Sequence, residues 1–210
     1  MTFTVRDLGL QDYHKTWELQ RELLAQRAQD LIPDQLILVE HPAVYTTGRA
    51  FQPEHLMPEA QAPVIAVERG GSITFHEPGQ LVGYPIFKLT ENRRDIHGFL
   101  RGMENALIQT LKELGYTGAP DARNTGVWIN GKKVAAMGIA VRRWVTWHGF
   151  ALNVNNPLNL PQYISPCGFE PELVTSLARE NTTGNRLAME EVKGHCVQAF
   201  KAWWDESHRR

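Results

Sequence analysis

The dipeptide Asn130-Gly131 constrains this chain more than any other pair of residues. Both residue types accept positive φ at low cost, which suits the two-residue turn whose twist matches paired strands. Strand-like runs stand on either side, VWI before and KKVAAMGIAV after, and VTWHGFALNV continues the pattern. Three consecutive antiparallel strands are therefore expected. Such a sheet must bury its apolar face against another layer.

Helical segments supply that layer. Asp95 suits an N-cap, Phe99, Met103, Leu107, Leu111 and Leu114 follow helical spacing, and Gly115 suits the C-terminal cap. Near the end of the chain, LAMEEVKGHCVQAFKAWW places Val192, Cys196, Phe200 and Trp203 near one helical face. Towards the start, a strand-like TFTVRDL precedes a helix bearing Tyr13, Trp17, Leu24 and Ala28, interrupted only at Gln20 and Arg21 and ended by Pro33. QLILVE and PVIAVE read as short strands, HPAVYTTGR as the loop-forming connection after the first, and LVGYPIF as another alternating run. Strands and helices mix without regular βαβ alternation, so the expected class is α+β, a mixed or antiparallel sheet with packed helices. With 42% hydrophobic and 21% charged residues and no repeat or linker, residues 1–210 are expected to form a single domain.

The composition also narrows function. A formal net charge of -1 and the lack of a long Lys/Arg run exclude a strongly basic nucleic-acid binder. Basic pairs occur locally, among them Arg93-Arg94, Lys132-Lys133 and Arg142-Arg143. No leader-like segment opens the chain, and no apolar stretch approaches the roughly 18 residues that cross a bilayer. Two cysteines make a disulfide framework implausible. A cytoplasmic protein without membrane or nucleic-acid partners is the expectation. No His/Cys spacing resembles a paired metal motif, so neither metal nor cofactor is expected.

Two cysteines and one lysine carry the chemical interest. Cys196 lies on the apolar helical face, where a thiol behaves as a small hydrophobe. Cys167 lies in YISPCGFEP between a proline and a glycine, a setting that can present a thiol and neighbouring amides to a substrate. From this feature alone, a nucleophile and an ordinary loop cysteine stand level. A nucleophile needs a base or cation, because only about 3% of an unperturbed thiol is ionised at neutral pH. Lys133 shares strand parity with Ala135, Met137, Ile139 and Val141, and Lys132 with Val134, Ala136, Gly138 and Ala140. Parity thus tilts Lys133 towards the bulkier face, where partial desolvation would lower its pKa. A snorkelling lysine and the alternative bases His76 and His148 stay open on this evidence. In RGGSITFHEPGQLVGYP, Gly70 and Gly71 permit close backbone approach to a ligand, yet the stretch lacks the lysine and glycine spacing of nucleotide loops.

Taken together, RGGSITFHEPGQLVGYP, NTGVWINGKKVAAMGIAV, HGFALNVN and ISPCGF, in that order and spacing, resemble the lipoyl(octanoyl) transferase family. LILVEHPAVYTTGR is similar too, so the resemblance runs from about Asp7 to Trp203. It implies a fold shared with lipoate-protein and biotin-protein ligases. It also implies transfer of an octanoyl group from acyl carrier protein, through a cysteine thioester, to a specific lysine of lipoyl domains. The acceptors would be the lipoyl domains of 2-oxoacid dehydrogenase complexes and the glycine cleavage H protein. By position, the resemblance makes Cys167 the nucleophile and Lys133 the lysine that tunes it. Substrate contacts then fall on Arg69, Gly70, Gly71, Ser72, Ile73, Thr74, Phe75 and His76, on Ala136, Met137 and Gly138, and on Gly149, Phe150 and Ala151. One departure stands out: Glu77 follows the loop histidine where family members often carry glycine.

Three other functions compete with this one. An ATP-dependent lipoate or biotin ligase would activate a free acid and need no cysteine. A cysteine hydrolase would pair Cys167 with His76 or His148 and release free acid. An acyl-binding module would form no covalent adduct.

Overall fold

The computed structural model describes residues 3–53, 62–158, 173–181 and 186–207. A six-stranded sheet runs in the order β1-β2-β6-β9-β8-β7, from β1 (Phe3–Leu10), β2 (Asp34–Glu40), β6 (Gln80–Ile86), β9 (Val145–Asn153), β8 (Lys132–Arg142) and β7 (Gly126–Ile129). Within this sheet only β1 and β2 pair in parallel; every other neighbouring pair of it is antiparallel. A second sheet, in the order β4-β3-β5, joins β3 (Val44–Thr47), β4 (Val64–Ala66) and β5 (Ile73–His76). The class is therefore α+β with mixed sheets.

The apolar run QLILVE forms a strand buried on both sides. Leu36 and Leu38 enter the core beneath the two long helices, α2 (Ile96–Glu113) and α4 (Met189–Ser207), whereas Ile37 and Val39 face Leu23 and Leu24 of α1 (Tyr13–Ala28). Covering both faces explains why the strand alternates in direction but not in polarity. The Asp95 carboxylate accepts from the Gly98 amide and starts α2. Asn130 and Gly131 sit at φ 51° and 75°, the turn expected between β7 and β8. A second tight turn joins β8 to β9 without any glycine. Arg143 and Trp144 take φ 51° and 60° there, with the Arg94 guanidinium 5.0 Å above the Trp144 ring and the Leu89 amide on the Trp144 carbonyl.

Four expectations need correction. HPAVYTTGR contains a strand, β3, because Tyr45, Thr46 and Thr47 are anchored by pairing to β5 on one side and β4 on the other. Gln20 does not interrupt the buried face of α1; it is buried and accepts the His148 amide at 2.8 Å. That helix ends at Ala28, before Pro33, where Asp30 takes φ 59°. On α4 the buried stripe is Val192, Cys196, Phe200 and Trp204, while Trp203 is half-buried and covers Gly102. Cys196 is fully buried, and burial pushes its thiol up to about 12. Among the described residues, no helix is long and apolar enough to cross a membrane. A short helix, α3 (Leu177–Glu180), precedes α4.

Candidate active site

The glycine loop 69–72 leads into β5 and lies directly on β8. The Gly70 amide donates to the Ile139 carbonyl at 3.0 Å, and a methyl group on Gly138 would stand 2.7 Å from the Gly70 carbonyl oxygen. Glycine at position 138 is thus what lets the second sheet approach the first. Arg69 secures the loop from the other side. Its guanidinium donates to the Thr46 carbonyl at 2.6 Å, the Thr46 hydroxyl at 2.9 Å and the Gly70 carbonyl at 3.0 Å.

Between loop and sheet lies a cavity of about 110 Å³. Arg69, Gly71, Ser72, Ile73, Thr74 and Phe75 form one wall; Lys133, Ala136, Met137 and Ala151 form the opposite one. A smaller recess adjoins it, sharing Arg69, Thr74 and Met137 and adding His76, Gly138, Gly149 and Phe150. Every expected contact residue except Gly70 therefore borders one or both hollows. Gly70 instead fastens the loop. Cys167 lies outside the described residues.

Lys133 reaches the cavity by a different route from simple strand alternation. Trp128 pairs with Lys133 but Val127 pairs with Ala135, so Val134 is one extra residue on β8, a β-bulge. Val134 and Ala135 are both fully buried in the core. The bulge moves Lys133 away from the side of Ala135 and onto the cavity side with Ala136. Its ammonium donates to Asn124 Oδ1 at 3.3 Å and lies 5.8 Å from the centre of the Trp128 ring. On its backbone, Lys133 bridges Val174, and its carbonyl accepts from the Thr175 amide at 3.0 Å.

The two histidines weighed as bases are both buried. His76 Nδ1 is 2.7 Å from Gln80 Oε1. Gln80 uses its amide hydrogens on the Phe75 carbonyl and Asn153 Oδ1, so its oxygen accepts and the His76 proton sits on Nδ1. His76 Nε2 then accepts from the Thr46 hydroxyl at 3.3 Å. Burial, with smaller effects from the charges of His41, Arg69 and His148, lowers the His76 pKa to about 3. His148 is 1% exposed at φ 54°, and neither ring nitrogen has a hydrogen-bond partner among the described residues. Glu68 approaches it only to 3.7 Å and is half exposed. Desolvation, then Arg69 and Arg49, outweigh that carboxylate and lower His148 to about 3. Both imidazoles are neutral at physiological pH.

Several polar residues that were not expected as contacts also border the cavity, among them Gln80, Asn124, Asn153 and Asn156, the first three within the quoted motifs. Asn156 alone lies outside those motifs, in the run NVNN at 153–156, where asparagines interrupt the apolar end of β9. Of the basic pairs, Arg93 and Arg94 lie over the rings of Trp204 and Trp144, whereas Arg142 and Arg143 are exposed.

Solved lipoate-protein and biotin-protein ligases share this fold. Lipoate-protein ligase A bound with ATP superposes with a TM-score of 0.76 at 15% identity, covering 98% of this chain and 86% of that one. Biotin protein ligase from Aquifex aeolicus, in complex with biotin and ATP, gives 0.63 at 13% identity, covering 97% and 71%. Residues 12–201 match the lipoyl protein ligase A/B catalytic domain model, and the chain belongs to that family. Curated relatives named octanoyltransferase include that of Rubrobacter xylanophilus, 44% identical over 92% of this chain and 89% of its own. The octanoyltransferase of Synechococcus elongatus is 49% identical over 92% and 85%.

Proposed function

We propose that this chain is an octanoyltransferase that takes its acyl group from the thioester of acyl carrier protein and delivers it, through a thioester on Cys167, to a specific lysine of lipoyl domains. The acceptors on this reading are the lipoyl domains of 2-oxoacid dehydrogenase complexes and the glycine cleavage H protein. Relatives named octanoyltransferase at 44% and 49% identity over nine-tenths of the chain support the reaction class. The observation that carries the site is the position of Lys133 on the cavity wall with its backbone paired to Val174 and Thr175. Cys167 precedes Leu173, another cavity residue, by six peptide steps, a reach of at most about 22 Å.

The chemistry balances without an added energy source. Cys167 sulfur attacks the carrier thioester carbonyl, a new C–S bond replaces the old one, and the carrier thiolate leaves and takes a proton. The acceptor amine then attacks the enzyme thioester, forms an amide and returns the sulfur as thiolate. The Lys133 ammonium gives the departing carrier thiolate its proton and, neutral from then on, accepts the proton shed by the amine. Ile73, Phe75 and Met137 provide the apolar wall for the acyl chain, where each methylene contributes about 0.8 kcal/mol. Exposed Arg142 and Arg143 offer a contact for an acidic carrier.

The test is intact-protein mass spectrometry with octanoyl acyl carrier protein and no ATP, followed by an apo lipoyl domain. A hydroxylamine-sensitive octanoyl adduct on Cys167 that moves to the acceptor lysine is expected, with no adduct in Cys167→Ser. Transfer that occurs only from free octanoate with ATP would transfer the assignment to a ligase, a reading that the ATP-bound structural neighbour keeps relevant.

A further inference from the structure

Glu77 is the residue at which this sequence departs from the glycine common after the loop histidine, and the structure gives its carboxylate a specific task. It is buried at 6% exposure. Its Oε1 accepts from the Leu158 amide at 2.9 Å and from Asn156 Nδ2 at 3.2 Å. Asn156 and Leu158 both border the cavity, and Leu158 holds φ 56°, a conformation a leucine does not adopt without support. Asn156 Nδ2 is also 3.1 Å from Asn153 Oδ1, and Asn153 Nδ2 donates to the Thr175 carbonyl at 3.0 Å. Thr175 in turn donates its amide to the carbonyl of Lys133.

We infer that Glu77 is a positioning residue that fixes the cavity rim at Asn156–Leu158 and couples it, through Asn153 and Thr175, to the strand that bears Lys133. The inference deepens the transferase reading, because Leu158 and Leu173, which flank the stretch bearing Cys167 in sequence, both border the cavity. Glu77 touches no substrate in this account. It acts by accepting two hydrogen bonds that hold a strained leucine against the cavity. A side chain with an equivalent acceptor oxygen does the same work, and one without it does not. Charge as such is not required.

Two measurements separate this inference from the transferase reading on which it rests. Hydrogen exchange of the peptide spanning residues 155–158, in the full chain, reports the clamp without any reference to activity. It should speed up about tenfold or more in Glu77→Ala, the fold-change expected when one or two hydrogen bonds to a carboxylate are lost, and stay near wild type in Glu77→Gln. Octanoyl transfer and the rate of Cys167 alkylation by iodoacetamide should fall in Glu77→Ala and be rescued in Glu77→Gln. Should Glu77→Ala fail to fold, Asn156→Ala gives the same reading in milder form, since it removes one donor and keeps the other. Unchanged exchange in both Glu77→Ala and Asn156→Ala, or a glutamine variant as impaired as the alanine one, overturns the inference. A wild type that forms no Cys167 adduct defeats the transferase reading while the exchange result still decides the clamp.

Discussion

Lowering the pH from 7.5 to 5.0 should destabilise this protein steeply, and three buried histidines set the size of the effect. His41, His76 and His148 are 0%, 5% and 1% exposed. Burial above all lowers their pKa values to about 4, about 3 and about 3. Each folded value lies below the ordinary 6.5, so the unfolded chain binds more protons throughout the window between, and stability falls as the pH drops through it. Because pH 5 lies 1.5 units below 6.5 and still above all three folded values, each group costs about 2 kcal/mol there at 1.36 kcal/mol per unit, hence about 6 kcal/mol for three. Most of a typical folding stability of 5–15 kcal/mol would then be gone. The carboxyls held low by ion pairs, Asp30 beside Lys88 and Arg27, Asp121 beside Arg123 and Asp7 beside Lys193, titrate below this window and do not confuse it. Urea unfolding at pH 7.5, 6.0 and 5.0 measures the slope, which near pH 5 should correspond to an uptake of about three protons on unfolding. His148→Asn, with a side chain that tolerates positive φ, should reduce that uptake by about one. A stability that is flat across this range, or an uptake below one proton, refutes the argument that these rings are neutral because they are dry.

Two substitutions test the cavity itself. Lys133→Met keeps the chain length and the apolar contact with Trp128 but removes the proton carrier, so single-turnover transfer to the lipoyl domain should slow by about 100-fold or more while the protein stays folded. Gly138→Ala brings a methyl group within 2.7 Å of the Gly70 carbonyl, so the loop must lift; a stability loss of about 1–3 kcal/mol by thermal melting and a raised KM for the octanoyl donor are expected.

The parts of this fold that were legible in the sequence are those fixed by short-range geometry. Asn130-Gly131 marked a turn because only residues tolerant of positive φ take it cheaply, and Asp95 marked a helix start because its carboxylate reaches an amide three residues on. The glycine pair was legible as a loop, but the close approach of that loop to the sheet depends on Gly138, where a methyl group would stand 2.7 Å from the Gly70 carbonyl oxygen. The second turn was not, because Arg143 and Trp144 are poor turn formers, and their positive φ values coincide with tertiary contacts from Arg94 and Leu89. Gln20 looked like a break in a helical face for the same reason. Its partner, the His148 amide, is 128 residues away.

Lys133 shows how a residue can reach a cavity wall by a route that strand alternation does not predict. Strict period-two alternation groups it with Ala135 and Met137, and the family resemblance marked it independently. One extra residue, Val134, reverses the relation between Lys133 and the rest of β8. Without that bulge, a lysine and the fully buried Ala135 would have to share a side, and an ammonium would enter a core of Leu81, Val127 and Leu152 unpaired. The bulge instead lets Val134 and Ala135 both face the core and releases Lys133 towards Asn124 and the cavity. Alternation fails at this position because a core and a polar cavity demand the same strand face within three residues, and an inserted residue is the cheapest backbone solution to that conflict. The same reasoning applies to Glu77: a buried carboxylate in place of glycine persists where two donors are already waiting for it.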